Sequence, residues 1–419
     1  MRILAARYLL PVSHPPIRDG ALLIDGGRIR AVGPRRSVKK AHPDVPWHDL
    51  GEAILLPGLV NVHTHLELGA LRGLVPPGRS FVDWVLALLE RKRHLSPEGY
   101  AAAVEAGTTE LARSGTTCVG DVTTTGASLA GLKACGLRGV VYREVIGPDD
   151  ARAAEMAEAC AAHLRAMRAE AGGSLLDVGI SPHAPYSVSP QLFRRCREVQ
   201  QRLGLKAALH AAESAAEIEY LRSGTGEIRS RLLPETGWGD VPPPILDVTP
   251  VGYLHRLGVL DPQCLIIHAV HLTEADLELL ARTGVAIAHC PRSNATLDVG
   301  RAPLKALRDL RIPVGLGTDS LASVPSLSLW DEVRSAHEAH AGLLSPAEWI
   351  GIATAGGARA LGLDGVIGTL EPGKQADCTA VSLDEPNVDP YEYLLHEAGA
   401  ERVLLTLVDG APLYDRRPS

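Results

Sequence analysis

The sequence predicts a (β/α)8 barrel (a TIM barrel) carrying a small β-sandwich domain built from both chain ends. One reason is the middle of the chain, where short β-branched runs alternate with Ala/Leu/Glu/Arg-rich helical stretches. Another is the pair of ends, where short strands are separated by Gly, Pro and Asp turns. Length agrees: 419 residues exceed one small domain, and 46% apolar against 22% charged residues is ample for a core.

Taken in order, "ALLIDGGRIRAVGP" (21–34) is an apolar run, an Asp-Gly-Gly turn and a second alternating run, a hairpin signal. "RRSVKK" (35–40) reads as the tip of a surface turn. Barrel strands are expected at "LVNVHTH" (59–65), "TCVGDV" (117–122), "GVVYREVI" (139–146), "LDVGISP" (176–182), "KAALHA" (206–211), "CLIIHA" (264–269), "GVAIAH" (284–289) and "IPVGLGTD" (312–319). Helices such as "SPEGYAAAVEAGTTELARSG" and "DDARAAEMAEACAAHLRAMRAEA" lie between them. Near the end, "VIGTLEPGKQADCTAVSLD" and "VLLTLVDGAPLY" return to strands. The expected domains are 1–56 with 362–419 as the composite β domain, and 57–361 as the barrel.

Composition excludes several classes of function. A formal net charge of −7 without a Lys/Arg stripe argues against nucleic acid. Seven cysteines, an odd number with no C-x-x-C pair, read as reduced thiols of a cytoplasmic protein. No apolar run has the length of a membrane span, and the N-terminus lacks the apolar stretch of a signal peptide. A small-molecule substrate is the expected partner.

The polar residues then fall in a telling order. His63 and His65 end the first strand, His183 follows the fourth, His210 ends the fifth, His268 the sixth and Asp319 the eighth. A barrel gathers those strand ends around one mouth, where barrel active sites sit. His63, His65, His210 and Asp319 form a donor set suited to one divalent ion, Zn²⁺ first and Fe²⁺ as the alternative, with a position left for water.

The motifs "PGLVNVHTHLE", "SPHAPYS", "HAAES", "HCPRSNA", "GLGTDS" and "IGTLEPGKQAD" together resemble the amidohydrolase superfamily over nearly the whole chain. Within it they are most similar to the zinc-dependent deaminases of S-adenosylhomocysteine/methylthioadenosine, guanine and aminodeoxyfutalosine. The resemblance implies the same four ligands. Binuclear relatives carry a bridging lysine on the third or fourth strand; neither strand has one here, which implies one metal.

Deamination of an aromatic amine needs a proton delivered to the ring and another to the leaving group. Glu213, three residues past His210, is the expected shuttle; the plain alternative is a first-turn carboxylate favouring a helix dipole. Asp319 is expected to take a proton from water and His268 to bond the developing tetrahedral centre. His271 and His289 read as structural, Cys118 and Cys290 as small buried hydrophobes. The resemblance implies substrate contacts at His183, Arg143, Asp83 and Trp84. Arg143 equally suits a structural ion pair, Asp83 a solvated charge and Trp84 a helix anchor. The Gly/Pro-rich segment 220–254 offers Trp238 and Arg229 as pocket residues, or as a Trp packed under its own loop and a solvated Arg. The motifs point to aminodeoxyfutalosine of menaquinone biosynthesis as substrate, with S-adenosylhomocysteine/methylthioadenosine as the alternative. A triazine or amide hydrolase would share the metal set but release no ammonia from an adenine nucleoside. A scaffold without activity would bind no metal. Analogy with similar architectures also admits a homodimer.

Overall fold

The structure, a computed structural model, describes residues 1–76, 78–243 and 247–417. Residues 244–246 of the long segment after Glu213 lie outside that description. The alternation resolves into eight parallel strands among the described residues, each paired with its neighbour in sequence. They are Leu59–Thr64, Thr116–Thr123, Arg138–Val145, Leu176–Pro182, Lys206–Ala211, Cys264–His268, Ala286–His289 and Val314–Leu316. The seventh and eighth are shorter than their apolar runs suggest, because the chain leaves the sheet to aim its polar end at the mouth.

Closure of the barrel is a local event beside His63. Asp319 N donates to His63 O at 3.0 Å, and Thr64 and Asp319 form a parallel bridge. One step below, the buried Asn61 amide spans the seam: Nδ2 donates to Thr318 Oγ1 at 2.9 Å and Oδ1 accepts from Thr318 N at 3.1 Å. A side chain thus replaces the ladder bonds that a short final strand cannot make.

Strand residues alternate between the barrel interior and the surrounding helices. Val140 and Tyr142 of the third strand pack with Val60, Val62 and Ile267 inside, while Val141 and Val145 join the layer facing the helices. Cys118 and Cys290 belong to the interior cluster, as expected of small hydrophobes, and burial raises both thiol pKa values. All seven cysteines are free thiols. Among the described residues, no helix is long and apolar enough to cross a membrane.

The two chain ends build one mixed sheet of eight strands, in which Ala53–Pro57 pairs with both the N-terminal strand Arg2–Leu9 and the returning strand Cys378–Ser382. The expected hairpin joins Ile17–Asp25 to Arg28–Pro34; Gly26 and Gly27 carry φ of 57° and 76°, both positive, as a tight turn matched to strand twist requires. One sheet face buries Leu4, Leu22, Ile24 and Leu405, the other Ile3, Ala5, Ala21 and Leu23. The latter face corrects one reading. "RRSVKK" is not a bare turn but the helix Arg35–Ala41, whose Val38 covers that second face while Lys39 lies over Trp47. A single apolar residue among five charged or polar ones is too weak a periodic signal to mark a helix.

Candidate metal and active site

The residues at the strand ends converge. His65 Nε2 lies 3.4 Å from His210 Nε2, and Asp319 Oδ1 lies 3.5 Å from His63 Nε2 and 3.8 Å from His65 Nε2. The donor atoms of His63, His65 and Asp319 all sit within 4.8 Å of one another, as do those of His63, His210 and His268. Both ring nitrogens of the fully buried His63 lack a hydrogen-bond partner. Orphaned buried imidazole nitrogens are costly unless something binds them. Burial first, and then neighbouring imidazoles, hold His65 at about 4 and His210 well below the usual histidine range. Burial also lowers His63, against the pull of Asp319. Asp319 goes the other way: burial would raise it, but His63, His268 and His65 together keep it well below the carboxylate range. Neutral imidazoles beside an ionised carboxylate are the protonation states in which these groups bind a metal, so the donor set fits a divalent ion.

The backbone is strained at the same place. Ala212, His268, Ala269 and Asp319, at the ends of the fifth, sixth and eighth strands, have φ of 55°, 74°, 49° and 61°. Left-handed conformations cost non-glycine residues of order 1–3 kcal/mol each and persist where surrounding structure imposes them.

Glu213 is buried and its Oε1 faces His268 Nε2 at 3.4 Å. Burial raises its carboxyl to about 7, with His268 opposing. The helix-dipole alternative belongs to another residue. The helix is Ala215–Ser223, capped by Ser214, and its first-turn acid is Glu217, whose Oε2 accepts from Glu213 N at 2.9 Å. His268 Nδ1 meets Asn294 Oδ1 at 2.9 Å.

These groups floor a cavity of about 170 Å³ with largely apolar walls: Phe81, Trp84 and Leu88 from the helix Phe81–Lys92, and Tyr186, Leu232 and Trp238 opposite. His183 lines it too, with Nδ1 held 2.6 Å from Ser187 Oγ. Of the expected pocket residues, His183, Trp84 and Trp238 are therefore present. His271 and His289 are not among the lining residues.

Two expected contacts stand elsewhere. Arg143 donates Nη1 to Glu144 O at 2.9 Å and lines a separate cleft with Arg152 and Met156. The reason is register: Tyr142 faces the barrel interior and Glu144 the cavity, so Arg143 between them turns toward the helices. Asp83 pairs with Arg231 Nη2 at 2.6 Å and accepts from Arg79 N, at the edge of the mouth and outside the cavity lining. Trp84 and Leu88, one turn apart, take the inward face of that helix and leave Asp83 to its flank. Arg229 likewise ties down its own loop, donating to Val241 O at 2.7 Å.

The reading of the residues overlooked a polar group in the cavity wall. Glu144 accepts from Thr124 Oγ1 at 2.8 Å, and Lys92 Nζ donates to the same hydroxyl at 3.1 Å. Burial would raise Glu144, but His183, Lys92 and His65 outweigh it and keep it low. The alternation Val140-Tyr142-Glu144 could have flagged it.

A parallel barrel that gathers imidazoles and a carboxylate at its C-terminal mouth holds its candidate donors where barrel active sites sit. Comparison then names the family: the amidohydrolase family profile matches residues 54–412, and the chain belongs to that family. A bacterial imidazolonepropionase-like composite domain also matches residues 20–44. A 5-methylthioadenosine/S-adenosylhomocysteine deaminase of Nitratidesulfovibrio vulgaris is 33% identical over 416 residues, covering 95% of this chain and 88% of that protein. An adenosine deaminase from Xanthomonas campestris, solved with bound zinc, is 28% identical with a TM-score of 0.82, over 99% of this chain and 93% of that one. The aminofutalosine deaminase of Helicobacter pylori, in complex with methylthio-coformycin, superposes with a TM-score of 0.87 over 98% and 100% of the chains. At 22% identity that likeness is one of fold.

Proposed function

We propose that the protein is a metal-dependent hydrolytic deaminase of adenine nucleosides, converting the 6-amino base to its hypoxanthine form with release of ammonia. The observation that carries this is the juxtaposition, on the floor of an apolar cavity, of four metal-suited donors with a buried, proton-holding Glu213. His63, His65, His210 and Asp319 would hold the ion, zinc by preference, which when bound lowers the pKa of water to near neutrality.

The chain's own residues do the rest. With its carboxyl near 7, Glu213 is partly protonated at neutral pH and can donate to ring nitrogen N1 of the purine, take up the proton of the water whose oxygen bonds to C6, and pass that proton to the amine as the C6–N bond breaks and ammonia leaves. His268, fixed by Asn294 through Nδ1, faces the same point and can accept at Nε2 a hydrogen bond from the hydroxyl on the tetrahedral carbon. Trp84, Phe81 and Leu88 supply a water-excluding wall for the nucleoside, and His183 a polar contact to it.

Among nucleosides, the relative at 33% identity favours 5′-thio-substituted adenosines such as methylthioadenosine and S-adenosylhomocysteine over the aminodeoxyfutalosine that the motifs alone suggest. The test is a panel of methylthioadenosine, S-adenosylhomocysteine, aminodeoxyfutalosine, adenosine and guanine with zinc-loaded protein. Loss of adenine absorbance with one ammonia per nucleoside is expected, fastest for a thio-substituted adenosine. No reaction on any member overturns the deaminase reading and directs attention to triazines and amides.

A further inference from the structure

We propose that the short helix Pro291–Thr296 is a positioning element that sets two groups of the site at once, Ser293 holding Asp319 and Asn294 holding His268. The helix follows the seventh barrel strand, between the sixth, which ends at His268, and the eighth, which precedes Asp319. Successive side chains on a helix point about 100° apart, so adjacent residues can reach to opposite sides.

Both do. Ser293 Oγ donates to Asp319 Oδ2 at 2.6 Å, with Ser323 Oγ a longer second donor at 3.4 Å, while Ser320 N donates to Oδ1 at 2.7 Å. Those bonds fix the carboxylate so that Oδ1 faces His63 and His65. Asn294 Oδ1 accepts from His268 Nδ1 at 2.9 Å, which leaves the Nε2 lone pair aimed at Glu213 Oε1. Ser293 and Asn294 are 0% and 2% exposed, so neither bond competes with solvent.

The residue before them anchors the helix. Arg292 Nε meets the buried Glu332 Oε1 at 2.7 Å, and Nη2 donates to Ser326 O at 2.7 Å, pinning the turn to the helix Leu329–Ala339. In "RSN", one residue locks the element and the next two orient Asp319 and His268. Partners behind metal ligands and catalytic groups are worth about 10- to 100-fold when removed.

The inference rests on the deaminase reading of the site. Its test uses full-length protein, zinc affinity by chelator competition, and steady-state kinetics on the best nucleoside of the panel. Ser293→Ala should weaken zinc by about tenfold and Ser293→Thr, which keeps the hydroxyl, should restore it. Asn294→Leu should leave zinc affinity unchanged and lower kcat about 100-fold with KM unaltered, while Asn294→Asp, which keeps an acceptor, should recover at least about a tenth of the wild-type kcat. A role in packing alone predicts the reverse order, since leucine fills the space and aspartate buries a charge. Wild-type zinc affinity in Ser293→Ala, or leucine performing as well as aspartate at 294, overturns the proposal. If wild type binds zinc but deaminates nothing on the panel, the deaminase reading fails, and the zinc affinities of the two Ser293 variants still decide this one. They also decide it where an Asn294 variant does not fold.

Discussion

The two ends of the barrel bury charge in opposite ways. At the N-terminal end, Arg138 of the third strand forms a bidentate pair with Asp377 of the terminal domain, Nε–Oδ2 2.7 Å and Nη2–Oδ1 3.0 Å, and Asp409 N adds a bond at 2.9 Å. Each charge there has its partner, and the pair ties the two domains together. At the mouth, His63 has two orphaned nitrogens, Glu217 Oε1 has no partner, and four non-glycine residues sit in left-handed backbone. Asp409 and Thr116 at the N-terminal end also carry a left-handed backbone and an unpartnered hydroxyl respectively, so strain alone does not separate the ends. What does is the kind of group left open, imidazoles and a carboxylate facing a cavity at the mouth against a paired Arg138 and Asp377 at the other end.

The contrast can be broken from the mouth side first. Asp319→Asn and His210→Ala should each lower zinc content and reduce turnover by about 10³-fold or more, with the fold retained by circular dichroism. Unchanged metal stoichiometry in both would mean the ligand set is wrong. From the other end, Asp377→Ala strands Arg138 in the interior and should cost about 3–5 kcal/mol of stability in a denaturant titration. Zinc affinity of the folded fraction should not change; a large loss of it would mean that the ends are not separable.

pH sharpens the same difference. Burial raises Glu217 to about 8 and Glu213 to about 7, both above the ordinary 4.5. The folded protein therefore holds these protons more tightly than the unfolded chain, so their contribution to stability is full below pH 4.5 and is lost as pH rises through 7 to 8. Metal-free protein should melt at a lower temperature at pH 8 than at pH 5, and Glu217→Gln should shrink that drop; a drop as large in the variant as in wild type contradicts the assignment. The smallest effects belong at the rim. Asp83→Asn and Arg143→Met should each change kcat/KM by less than about threefold, since the first breaks only a partly exposed ion pair and the second points away from the cavity. A tenfold rise in KM for either would place it back on the substrate.

How much of this the sequence disclosed follows from the kind of signal each part leaves. The eight strands were legible because parallel strands buried on both faces read as apolar runs, and the convergence of His63, His65, His210 and Asp319 because they fall one after another at or just past the ends of those runs. Arg143 stayed open between substrate contact and structural role because the strand's polar end does not disclose its register, and one residue's shift exchanges the cavity for the helix layer; the same ambiguity hid Glu144. Asp83 was ambiguous because its helix phase depends on which side Trp84 faces. Ser293 and Asn294 stood in the motif "HCPRSNA" without a legible role: their partners are Asp319 and His268, both distant in sequence and adjacent only once the barrel closes.

The most direct test of the central claim, that the buried acid at the mouth is there for chemistry and not for the fold, is Glu213→Gln assayed for turnover, zinc content and melting temperature together. The account predicts a loss of about 10³-fold in kcat, zinc content equal to wild type and a melting temperature at pH 8 that is unchanged or higher. Turnover within tenfold of wild type, with zinc bound and the fold intact, would contradict it.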